Sequence, residues 1–119
     1  VSYWKVMLGK GSLFAPQALA GGFIGIDDGI GLNMTPLLDL PEPDFRAEVR
    51  SRLETANPSA SRGTLSQYAT TLWRVAQGIQ VDDQVLSPTG TPGQVRLGRV
   101  TGEYHYVPGE PLPHRRSVT

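Results

Sequence analysis

The sequence contains no cysteine, which excludes disulfides, thiolate nucleophiles and cysteine-bound zinc. Net charge is missing too. Eleven Lys and Arg balance eleven Asp and Glu, so there is no broad basic field to wrap a duplex by charge alone. Histidine is limited to His105 and His114, and a two-histidine metal site would have to use both. No apolar run approaches the roughly 20 residues of a membrane-spanning helix. None of the five glutamates is followed two positions later by lysine, so the Glu-x-Lys that holds a metal and orients water in many nucleases is lacking. Gly9-Lys10-Gly11 and Gly29-Ile30-Gly31 lack the further glycine of a phosphate-binding loop. The pairs Asp27-Asp28 and Asp82-Asp83 suit a cation in principle, but surface turns account for them better. Neither catalysis nor a cofactor is expected of this segment.

What is present belongs to an ordinary globular chain. Its 119 residues, 39% hydrophobic and 18% charged, suit one domain over residues 1–119 with a single core. Fourteen glycines and ten prolines fall between the periodic segments and favour short strands joined by turns. The charge is unevenly spread. Residues 1–44 carry Lys5 and Lys10 against Asp27, Asp28, Asp39, Glu42 and Asp44, whereas residues 45–80 carry five arginines against Glu48 and Glu54. Arginine dominates the cations, and its planar fork suits phosphates and base edges as well as ordinary ion pairs.

Periodicity gives the order β-α-β-α-α-β-β-β. A strand is predicted over Ser2–Leu8, a short helix over Ala15–Ala20 with Pro16 in its first turn, and a strand over Phe23–Ile26. Asp44 is placed as the N-cap of a helix to Ala56, with Phe45, Val49 and Leu53 on its buried face. Thr64-Leu65-Ser66-Gln67 reads as a capping box. It opens a helix whose apolar stripe is Leu65, Tyr68, Leu72, Val75, Ala76 and Ile79. Strands follow over Val81–Leu86 and Gln94–Tyr106, the latter with Val95, Leu97 and Val100 inward. An edge segment, Arg115–Thr119, closes the chain. The expected fold class is α+β: a small curled sheet or barrel of five to six strands flanked by two to three helices.

Candidate binding residues come from this pattern. Trp4 and Tyr3 alternate across the first strand, so one is core and the other is available to a pocket. Trp73, at a shoulder of its helix, either closes a base-sized slot or caps the core. Tyr104 and Tyr106 serve as a stacking platform or as plain strand-formers. Asp27, directly after the run Phe23–Ile26, is the carboxylate best placed to accept a hydrogen bond from the exocyclic amine of cytosine. Lys10, Ser12, Arg99, Arg115 and Arg116 are phosphate-contact candidates, each with a solvated side chain as its ordinary alternative.

Several segments in order carry a resemblance: Tyr3-Trp4-Lys5-Val6-Met7-Leu8-Gly9-Lys10, Phe23-Ile24-Gly25-Ile26-Asp27, Leu72-Trp73 with Gly78-Ile79, Val85-Leu86-Ser87-Pro88, Gly98-Arg99-Val100-Thr101-Gly102-Glu103-Tyr104 and Leu112-Pro113-His114-Arg115-Arg116. Together they resemble the PUA-like domain found ahead of Mrr-type restriction endonuclease catalytic domains and, more distantly, the EVE and YTH readers of modified bases. The resemblance implies a PUA-like fold and a non-catalytic domain that takes one flipped, modified base of DNA into a pocket. It implies a C-terminal nuclease domain in cis, and hence a piece of a longer, cytoplasmic restriction protein with no membrane partner. By family position the pocket residues are Lys10, Ser12, Ile26, Asp27 and Trp73, with Trp4 beside them; Arg99, His114, Arg115 and Arg116 contact the backbone. Related readers often carry a tryptophan where this chain has Asp27-Asp28, which points to a polar readout. RNA binding and sensing of a small nucleotide are the alternatives on the same fold.

Overall fold

Phe45, Val49 and Leu53 recur every four residues and are completely buried, and this seam fixes the longest helix, α2 (Glu42–Ala56). Burying each such side chain contributes about 1.5–3 kcal/mol. The exposed pairs Glu42–Arg46 and Glu48–Arg52 on the same helix contribute about 0.3–0.5 kcal/mol each. The apolar face therefore dictates where α2 lies. It starts one turn before the predicted cap: Pro41 is the N-cap, and Pro43 and Asp44 fall in the first turn. A proline costs nothing there, because the N–H it lacks would have no helical partner.

The structure is a computed structural model that describes residues 1–27 and 33–119; Asp28 and Gly29-Ile30-Gly31 lie outside them. Among the described residues the fold is α+β, with three α-helices and six strands in two three-stranded sheets. In the first sheet β1 (Tyr3–Lys5) runs parallel to β3 (Gln84–Pro88), and β3 runs antiparallel to β4 (Val95–Arg99). In the second, β6 (His114–Ser117) lies between β2 (Phe23–Ile26) and β5 (His105–Tyr106), antiparallel to both. The sheets are stitched where Arg99 and Thr119 exchange backbone hydrogen bonds of 3.2 and 2.9 Å and Thr101 donates to Ser117, but they do not close into a barrel.

The predicted strand 94–106 is thus two strands. Val100–Tyr104 carries the chain from one sheet to the other, and Val100 is buried while Val95 and Leu97 are 53% and 59% exposed. Val95 and Leu97 stand opposite Pro88 and the exposed Leu86 on one side of the ladder, while Arg96 and Gly98 stand opposite the buried Ser87 and Val85 on the other.

Helices α1 (Ala15–Gly21) and α3 (Arg62–Trp73) complete the frame. Ser61, not Thr64, caps α3: its Oγ accepts from the Thr64 N–H at 3.1 Å. Leu65, Ala69, Leu72 and Ala76 join the α2 seam with Met34, Leu37 and Tyr104. Tyr68, predicted on that stripe, is instead 40% exposed. A second cluster gathers Val6, Leu8, Ala15, Ala18, Phe23, Ile24, Ile79, Val85, Val100 and Leu112. Ile26 touches both clusters. Past Trp73 the helix widens into a π-turn, Arg74–Gly78. A Cβ on Gly78 would lie 2.8 Å from the Trp73 ring, so only glycine fits beneath the indole.

Two buried charges fasten these parts. Arg116 is 1% exposed; its guanidinium donates to the carbonyls of Gly102 at 2.8 Å, Val75 at 3.2 Å and Ile79. Burial pushes its pKa down, and Glu103 and Asp83 oppose that shift. Asp83 was expected in a surface turn but is buried. One carboxylate oxygen accepts from the Ser2 N–H at 3.0 Å; the other accepts from the Gln80 N–H at 2.9 Å and the Trp4 indole N–H at 2.8 Å. The bonds from Ser2, Gln80 and Trp4 hold its pKa at about 2 against an ordinary 3.8.

A depressed carboxylate stabilises the fold above its unfolded pKa and loses that contribution as pH falls through the folded value. Thermal stability should therefore drop between about pH 4 and pH 2. Asp83→Asn should be less stable at neutral pH and should lose this part of the slope, because one amide oxygen cannot serve three donors. Arg116→Met leaves three carbonyls without a donor and should cost about 3 kcal/mol or more in urea unfolding.

Candidate functional site

A cleft of about 760 Å³ opens between the end of β2 and one flank of α3. Its floor is apolar, formed by Ile26, Leu112 and the ring of Phe14. Around it stand Met7 and Lys10 from the β1–α1 loop, Asp27 after β2, and Gln67, Tyr68 and Thr71 from α3. The loop is shaped by left-handed residues: Gly9, Gly11 and Ser12 have φ of 87°, 63° and 61°. A Cβ on Gly9 would lie 2.7 Å from the Phe14 ring, so glycine is what lets this ring seat under the loop. Gln67, Tyr68 and Thr71 share the α3 flank beside the buried seam, which places one ring and three polar side-chain ends along one wall.

On the opposite side, Arg115 fixes the Leu112 wall. Its Nε donates to the Leu112 carbonyl at 2.9 Å and its Nη2 to that of Pro111 at 2.8 Å, while the guanidinium lies 3.7 Å from the centre of the Phe23 ring. The segment Pro111-Leu112 is thereby tied to β6. The site is an apolar slot with a cation, a carboxylate, an amide and hydroxyls at its rim, the composition of pockets that orient a planar polar ligand.

Of the residues picked from sequence for the pocket, Lys10, Ile26 and Asp27 come together in the cleft. Ser12 does not line it; it is buried, against Gly90. Trp4 is half-buried on the first sheet, bound to Asp83 and 5.9 Å from the Arg74 guanidinium; Tyr3 is the exposed member of that pair. Trp73 packs against the α2–α3 seam with Arg46 over its ring at 5.4 Å. It lies outside the cleft.

The phosphate-contact set also disperses. Arg116 is internal. His114 is wholly buried, with its Nδ1 2.8 Å from the Tyr104 hydroxyl and its ring between those of Tyr104 and Tyr106. The Tyr104 hydroxyl accepts from the Met34 N–H at 3.1 Å, so these tyrosines pack around a histidine and form no open platform. Of Arg99, His114, Arg115 and Arg116, the backbone contacts that the resemblance implies, only Arg99, at the end of β4, is exposed.

The aromatic wall that sequence reasoning missed is Tyr68, with Phe14 below it. The signal lay in its neighbours: Gln67 and Thr71 are polar and adjoin Tyr68 on the helix surface, which marks the stripe's wet edge. Among the described residues no group of three or more metal-ligating side chains converges, and no helix is long and apolar enough to cross a membrane. Comparison with protein-family models, curated proteins and solved structures gave no match.

The two aromatic residues of α3 should behave differently on truncation. Trp73→Ala removes packing from the helix seam and should cost about 2 kcal/mol or more. Tyr68→Ala should stay within about 1 kcal/mol of the parent protein. Paired chemical denaturation curves check both.

Proposed function

We propose that this domain is a non-catalytic reader of a modified base in DNA, held as a single flipped nucleobase in the Asp27–Tyr68 cleft. The observation that carries the reading is one carboxylate and one exposed ring sharing an apolar slot with Lys10. The Asp27 carboxylate accepts from an exocyclic amine, which suits cytosine or adenine. Tyr68 covers a face of the base, Ile26, Phe14 and Leu112 receive its apolar edge, and Lys10 meets the adjoining phosphate. Taking the base out of the stack costs a few kcal/mol, offset by stacking worth about 1–3 kcal/mol and by the polar contacts.

A methyl or hydroxymethyl group on the base then contributes about 1–3 kcal/mol, roughly 10- to 200-fold in affinity. That margin is enough for a sensor whose attached nuclease acts only when several copies engage. We assign the frame to the PUA-like class on its resemblance to the domains that precede Mrr-type nucleases. The same resemblance supports a nuclease partner in cis and a cytoplasmic restriction role in phage defence. The missing Glu-x-Lys supports placing the chemistry in that partner.

A second reading, a sensor of a small nucleotide, is favoured by the interior positions of His114 and Arg116. Neither side chain is available to a long phosphate backbone. RNA is the remaining alternative on the same cleft.

Titration with matched oligonucleotides, modified and unmodified, DNA and RNA, single- and double-stranded, distinguishes these readings. Modified DNA should bind about tenfold or more tightly than its unmodified match. Tyr68→Ala should weaken it by about 5- to 150-fold, and Asp27→Ala, which removes the acceptor, should erase the preference for an amino-bearing base. Equal, weak binding of every oligonucleotide would overturn the proposal.

A further inference from the structure

Ser87 is buried on the inner face of β3, 4% exposed, and its Oγ has no hydrogen-bond partner. A hydroxyl withdrawn from water with nothing to bond is costly, and native interiors contain few. Ser87 lines a cavity of about 380 Å³ between the inner side of the first sheet and the α1–β2 corner. This cavity shares no lining residue with the Asp27–Tyr68 cleft.

Its walls are mostly aliphatic and aromatic, with Leu19 from α1, Phe23 and Ile24 from β2, Val85 from β3 and Val118 after β6. It carries one charged side chain, Arg96, and no acidic one. Arg96 is the direct cross-strand partner of Ser87 in the β3–β4 ladder. Directly opposed residues project to the same face with Cβ atoms about 4.5–5.5 Å apart. Register therefore brings an exposed guanidinium and an unpaired hydroxyl to one apolar chamber.

We infer that this cavity is a second ligand site, for a compact apolar molecule bearing a single carboxylate. The guanidinium fork and the Ser87 hydroxyl take the carboxylate oxygens, and Phe23, Val85 and Val118 take the hydrocarbon. The volume lies at the lower end of the range of about 300–1,000 Å³ for small-molecule pockets, which fits a short acyl chain or a single aryl ring. Gly22 and Gly98 line the chamber beside Val118 and Thr119. No acidic side chain in the lining competes for Arg96.

Hexanoate is a suitable probe, with 1-hexanol and inorganic phosphate as controls, followed by amide chemical shifts of the isotope-labelled chain. Hexanoate should give saturable shifts at Leu19, Ser87 and Arg96 and leave Gln67 and Thr71 unmoved. Hexanol and phosphate should each bind about tenfold or more weakly. Arg96→Gln should cost about tenfold. Ser87→Ala should weaken hexanoate by a smaller factor while leaving the melting temperature unchanged or higher. Shifts that fail to saturate, that map to the other cleft, or that are equal for hexanoate and hexanol would overturn the inference. So would an Arg96→Gln protein that binds hexanoate as tightly as the parent. Because the two sites share no lining residue, these outcomes are independent of the oligonucleotide results.

Discussion

The interior guanidinium of Arg116 is the constraint on which the arrangement depends. Ionised arginine is expensive to take out of water unless each face of the fork finds an acceptor. Here the acceptors are backbone carbonyls from two places: Val75 and Ile79, at the π-turn after α3, and Gly102, on the crossing between the sheets. The C-terminal end of a helix already concentrates partial negative charge, so a cation is favoured there. One side chain on β6 thus sets where α3 stops and how far the crossing stands from it. The π-turn supplies the geometry. By widening the helix it sends the Ile79 N–H to the Arg74 carbonyl and frees that of Val75, which a regular turn would bond internally.

The sides of β6 divide the labour. His114 and Arg116 point inward, while Arg115, between them, turns to Phe23 and the carbonyls of Pro111 and Leu112. This alternation is the ordinary two-residue period of a strand. It explains why a basic run that looks made for phosphates is structural in every member. Arg115 still bears on the cleft indirectly, since it holds the segment from which Leu112 lines the slot.

Much of the frame was legible in the sequence. Phe45, Val49 and Leu53 announced α2, and Leu65, Leu72, Val75 and Ala76 announced α3, because burial of a helix face leaves a four-residue signature. The resemblance groups Lys10, Ile26 and Asp27, and the fold sets all three around one cleft. What stayed illegible depended on contacts distant in the chain. Asp83 looked like half of a surface turn, and only the fold shows that Ser2 and Trp4 arrive to bond it. Trp73 and Tyr68 exchanged roles because helical position alone does not say which shoulder faces α2. Val95 and Leu97 carried a core-like alternation, yet their strand sits at the sheet margin with that side uncovered. Helix starts moved by about a turn where proline and serine offered a cap earlier than the predicted one.

The parallel pairing of β1 with β3 has a consequence for biosynthesis. Tyr3, Trp4 and Lys5 meet Gln84, Val85 and Leu86, so β1 cannot dock until synthesis has passed Leu86. Contacts so far apart in sequence are slow to form, since the loop between them has to be ordered first. Throughout that interval Trp4, Val6 and Leu8 are without the sheet neighbour that later covers them, and such transiently exposed apolar side chains are open to non-native contacts.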